Sequence, residues 1–227
     1  MKKNNLAIFE SERAINYDQF VTDWVPNYQY FVNLLPSLLS GVKNKELLVV
    51  GCGTGNEILA FQKLTNNWKI TGIDPSPNMV FQAREKLKEY DEVQLIDGEV
   101  ADLPSHHRFE AATLLLVLHF LEDNGAKLGL LKQIADHLAP DAPFVILDIT
   151  GDTNQIAKNL DILKNMLPSH LEAEQVEVRI ERIRKELFSI SEERLAQLFE
   201  EASFERPTRF FQSSIYMGWL TYKISKS

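Results

Sequence analysis

The stretch Leu47-Leu48-Val49-Val50-Gly51-Cys52-Gly53-Thr54-Gly55-Asn56-Glu57 constrains the fold more than any other. Four apolar residues run into three glycines at alternate positions, and helix-compatible sequence follows to Leu64, which predicts strand, tight turn and helix. Glycine suits such a turn because the backbone must take positive φ and because a side chain would hold a ligand off the main chain. Trp68 to Asp74 reads as a second strand ending in an acid. Asp74 follows Gly55 by 19 residues, near the roughly 20-residue separation at which an acid reaches two ribose hydroxyls. A third strand ends in acids at Asp97, Glu99 and Asp102, placed to accept from an adenine amino group. A dinucleotide fingerprint would need glycine at 56, where Asn56 stands, so the spacing disfavours NAD.

The rest of the composition narrows the class. A chain of 227 residues suits one domain with additions, and 44% apolar with 25% charged residues is ordinary for a globular protein. A net charge of −8 argues against a broad nucleic-acid-binding face. The single cysteine, Cys52, excludes an internal disulfide and fits a reducing compartment. The start carries no targeting pattern, and the longest apolar run, Leu114 to Leu121, is too short to span a bilayer. A cytoplasmic protein without membrane partners is expected.

Taken in order, residues 1–45 form a helical cover, with Leu6, Phe9, Ala14, Tyr17, Phe20, Val21 and Trp24 at helical spacing and a second run after Pro26. Residues 46–150 carry a regular βα alternation: strands at about 46–51, 68–74, 92–97, 110–118 and 144–149, with helices between. Residues 151–190 break the alternation with two helices separated by Pro168, a helical lid insertion. Residues 191–227 hold a helix capped by Ser191 and two β runs joined at Ser213-Ser214, an antiparallel hairpin completing the sheet.

Asp74 suits ribose binding, and it also suits a helix N-cap before Pro75. Glu99 is the adenine candidate, with Asp97 and Asp102 close enough to compete. Cys52 faces the site from within the glycine turn, and nothing in its surroundings marks an activated thiolate. His119, at the carboxyl end of the fourth strand, is a candidate general base whose bland reading is a packed histidine bonded to a nearby loop. His106 and His107 have no third ligand at metal spacing. Arg179, Arg182, Arg184 and Lys185 interleave with glutamates as a solvated helix face, from which one arginine turned inward would bind an acceptor carboxylate or phosphate.

The alternate glycines, with acids after the second and third strands, resemble the class I S-adenosylmethionine (SAM) methyltransferases. That resemblance implies a Rossmann-like, mostly parallel α/β sheet with a C-terminal antiparallel hairpin and helices on both faces. Val25-Pro26-Asn27-Tyr28, together with Phe210-Phe211-Gln212 through Tyr216-Met217-Gly218, resembles the carboxy-S-adenosylmethionine synthases of tRNA wobble-uridine modification. That likeness implies Tyr28, Gly51 to Gly53, Asp74, Pro75, Glu99 and Val100 around the cofactor, and a homodimer. The family's strand-four asparagine is Leu115 here, and its carboxylate-binding arginine aligns with Ile180, one position from Arg179. The expected activity is therefore transfer of an ordinary SAM methyl group to a small molecule held between the N-terminal helices and residues 152–187. Tyr28 and His119 are the catalytic candidates, Gly55 joins the cofactor residues, and Arg179 is the substrate candidate. A carboxy-SAM synthase and a SAM-binding regulatory subunit without turnover are the alternatives.

Overall fold

The computed structural model describes residues 16–65 and 67–225. Leu6, Phe9 and Ala14 of the expected cover lie outside them. Two helices come first, α1 (Tyr17–Trp24) and α2 (Tyr28–Leu38), and Asn27 turns the chain between them at φ 65°. Then follow β1 (Glu46–Val50), α3 (Asn56–Leu64), β2 (Lys69–Asp74), α4 (Pro77–Leu87), β3 (Val93–Asp97), β4 (Ala111–Leu115), α5 (Ala126–Asp136) and β5 (Pro143–Ile149). The remainder is α6 (Thr153–Met166), α7 (Ala173–Glu186), α8 (Glu192–Glu201), β6 (Thr208–Ser213) and β7 (Tyr216–Tyr222).

The strands form one sheet in the order β3-β2-β1-β4-β5-β7-β6. The first five run parallel, and β7 enters antiparallel between β5 and β6. Alternation along each strand divides the core into two layers. Leu47, Val49, Val145 and Leu147 face α2, α3, α6 and α7 through Leu35, Phe61, Leu160 and Ile183. Leu48, Val50, Phe144 and Ile146 face α5 and α8 through Leu131, Ile134, Leu198 and Phe199. The Rossmann-like architecture that the methyltransferase resemblance implies is the one observed, with helices on both faces. Among the described residues, no helix is long and apolar enough to cross a membrane.

Two boundaries differ from the sequence reading. The fourth strand ends at Leu115, because Leu116 takes φ 60° and the next amides leave the ladder for a side-chain acceptor, Asp148. The closing hairpin turns at Ser214-Ile215, since Ser213 still pairs with Tyr216 and Ser214 takes the left-handed φ of 56°. Reversing a two-residue hairpin favours positive φ, which displaces the turn by one residue.

Candidate functional site

The open parallel sheet places its ligand crevice beyond the carboxyl ends of the strands, beside β1 where the strand order reverses. A cavity of about 360 Å³ lies there, within the roughly 300–1,000 Å³ range of small-molecule sites. It brings together Gly51, Gly53, Asp74, Pro75, Glu99 and Val100, residues that are far apart in sequence. Gly51 has φ 67°, and a Cβ there would collide with Cγ2 of Val117. That position therefore requires glycine on two counts.

Asp74 organises the floor of the cavity. Its Oδ2 accepts from the Gly53 amide at 2.9 Å and its Oδ1 from the Ser76 amide at 2.9 Å. The carboxylate thus ties the glycine turn to the start of α4. The N-cap of α4 is Ser76, whose hydroxyl accepts from Met79 N at 3.3 Å, so Asp74 does not fill that alternative role. Glu99 donates its amide to Asp102 Oδ2 at 2.8 Å, which fixes the bend after β3 and turns Asp102 to main-chain capping.

Three expected site residues sit elsewhere. Gly55 stays out of the cavity lining: a Cβ there would lie 2.7 Å from Leu87 Cδ1, so this glycine lets α4 pack against the turn. Cys52 does not face the site. It is buried in the core against Gly72, where burial pushes its thiol pKa well up and leaves it unreactive. Tyr28 is buried behind the glycine turn with Asn56 beside its hydroxyl, and the tyrosine that lines the cavity is Tyr17. Burial, then the neighbouring Asp74, raises the Tyr17 phenol, which keeps its proton at neutral pH. Tyr17 is held over the cavity by its neighbour. Asp18 accepts from Thr54 Oγ1 at 2.5 Å, Asn56 Nδ2 at 2.9 Å and Lys86 Nζ at 2.6 Å, tying α1 to α3 and α4.

Glu57 lies under the turn, bonded to the Thr113 hydroxyl, and burial lifts its pKa from 4.5 to about 8. Between those values the folded chain holds a proton that the unfolded chain has released. Stability therefore falls as pH rises from about 4.5 towards 8, by at most about 1.4 kcal/mol per unit. Glu57→Gln removes the titrating group. Its melting temperature is expected to stay level across pH 5 to 8 while that of the parent declines, and parallel declines in the two proteins would contradict the assignment.

A second, smaller pocket of about 40 Å³ adjoins the cavity and shares Tyr17, Leu116 and Phe120 with it. It is also lined by His119, Arg179, Arg182 and Tyr216. His119 is buried, and its Nδ1 lies 2.9 Å from Asp148 Oδ1. An ionised aspartate accepts only, so Nδ1 is the donor, and in the neutral ring Nε2 is the accepting nitrogen. Asp148 also accepts from the amides of Val117 at 3.1 Å, Leu118 at 2.8 Å and His119 at 3.1 Å. This carboxylate is one anchor of the loop between the two spaces, beside Lys127 Nζ, which donates to Leu118 O, and Phe188 N, which donates to His119 O at 2.8 Å. Sequence reading missed Asp148, although an acid inside the apolar run Phe144 to Ile149 is itself a signal.

Arg179 turns inward, with its guanidinium 4.9 Å from the Phe20 ring centroid, while Ile180 fills the core beneath. Of the other charges of α7, Lys185 pairs outward with Glu181 as expected, whereas Arg182, beside Glu186, lines the smaller pocket. Among the described residues no cluster of His, Cys, Asp or Glu could hold a metal ion.

The lining of the larger cavity fits a particular kind of nucleoside. Among the described residues it contains Asp74 and Glu99 and no lysine or arginine, an arrangement for a ligand with ribose and positive charge and without phosphate. SAM is such a ligand. Comparison with known proteins agrees. A family described as a methyltransferase domain matches residues 48–144. Demethylmenaquinone methyltransferase of Staphylococcus aureus (strain MRSA252) is 30% identical over 189 residues, which cover 80% of this chain and 77% of that protein. Magnesium protoporphyrin IX methyltransferase from Synechocystis PCC 6803, solved with S-adenosylhomocysteine (SAH), superposes with a TM-score of 0.71 at 14% identity, over 98% of this chain and 100% of that one. Human N-acetylserotonin methyltransferase, solved with SAM, has a TM-score of 0.70 at 18% identity over 99% of this chain, which spans only 60% of that longer protein. The chain belongs to the class I SAM-dependent methyltransferases. Its cofactor is SAM.

Proposed function

We propose that this methyltransferase modifies a hydroxyl group of a small molecule that reaches from the cavity into the pocket beside it. The observation that carries the reading is His119: it lines the pocket, and Asp148 holds its Nδ1 so that Nε2 is the accepting nitrogen. SAM, when bound, supplies a methyl group on a positively charged sulfur, open to in-line displacement. His119 takes at Nε2 the proton that the acceptor hydroxyl sheds, and Asp148 stabilises the imidazolium that results. Tyr17, Leu116 and Phe120, common to both spaces, hold the reacting groups together and keep water away. Gly53 N and Asp74 fix the turn on which the cofactor ribose rests.

The small-molecule reading is tested with methyl-tritiated SAM, purified protein and a fractionated bacterial extract. Label is expected in the small-molecule fraction. Label confined to the protein or RNA fractions overturns the reading.

A further inference from the structure

Among the described residues, the guanidinium of Arg179 in the smaller pocket has no carboxylate partner. Arg179 Nε is buried and makes no hydrogen bond, and among the described residues Arg179 is in no ion pair. Its neighbours are the Phe20 ring, the hydroxyls of Tyr216 and Tyr17, and a second cation, Arg182. Burial lowers its pKa, the mark of a charge taken out of water without an acid to balance it. Arg182 is only partly balanced: its Nε lies 2.8 Å from Glu186 Oε2, close enough for an ion pair but without hydrogen-bond geometry. A fold gains nothing from two crowded cations with idle donors, since unpaired buried polar groups cost stability.

We propose that the acceptor is a small organic acid and that Arg179, aided by Arg182, seats its carboxylate in this pocket. The inference rests on the small-molecule reading above and names the class of that molecule. A planar guanidinium matches a carboxylate with two parallel hydrogen bonds, which a lysine ammonium does not reproduce. The 40 Å³ of space admits a group of that size, and Tyr17, Leu116 and Phe120 join it to the larger cavity, where the rest of the molecule lies. His119 stands in the same lining, so the arginines that hold the acid end also set how far along the molecule the reacting hydroxyl lies.

The test is calorimetric titration of the full chain, saturated with SAH, with benzoate and with its neutral counterpart benzamide. Benzoate is expected to bind and benzamide to bind at least about tenfold more weakly. Arg179→Gln should lower benzoate affinity by about the same factor while leaving SAH affinity unchanged, and Arg179→Lys should restore only part of it. Equal binding of the two probes, no benzoate binding, or an Arg179→Gln protein that binds benzoate normally overturns the proposal. Benzoate that binds only in the absence of SAH places the carboxylate on the cofactor side, and overturns it too. The tritium assay uses neither probe, so a macromolecular acceptor and a neutral small acceptor give different results.

Discussion

Asp74→Ala is expected to weaken SAH binding by about 100-fold or more. On the proposed ribose role of Asp74 two losses combine: charge-assisted bonds to ribose hydroxyls, worth about 1.5–3 kcal/mol each, and the anchors at Gly53 N and Ser76 N that shape the turn. Asp74→Asn separates them. Asparagine keeps the size and one acceptor oxygen, so it should retain part of the turn while giving up charge, and its affinity should fall between the other two. Calorimetry on folded protein provides the check. An alanine variant that binds like the parent would remove Asp74 from the ribose site.

His119→Asn is expected to lower kcat by about 100-fold to 10,000-fold, the range over which a positioned base contributes. The amide keeps a donor for Asp148 and has no basic nitrogen, so the partition stays anchored while the proton acceptor is lost. SAH affinity should not change, because His119 is absent from the lining of the cofactor cavity. Single-turnover rates beside binding constants distinguish these effects. A variant with the parent's turnover would leave His119 as a packed histidine only.

The parts of this molecule legible in its sequence are those fixed locally. Apolar alternation running into glycine, and an acid closing the next strand, depend on residues a few positions apart, and β1, β2, Gly51, Gly53 and Asp74 stand where the spacing put them. Positions set by packing between distant elements were not readable. Tyr17 and Tyr28 both occupy amphipathic helices, and the left-handed Asn27 between those helices, with Asp18 clamped to Lys86, is what aims the first at the cavity and buries the second. Arg179 and Ile180 differ by about 100° around a helix, and only the docking of α7 points the first into the pocket and the second into the core. Cys52 turned inward because Gly72 on the neighbouring strand leaves room for it.

Asp148 carries a consequence for how this protein can change over generations. Its carboxylate serves three loop amides and an imidazole at once. Asparagine would give up accepting capacity, and glutamate would push the loop outward by one methylene, so no substitution alters the imidazole's partner while sparing the wall. Side chains that line the small pocket without bonding this loop carry no such double duty and can vary with the molecule being modified. Lineages from a common ancestor should therefore diverge in what they accept long before they diverge at position 148.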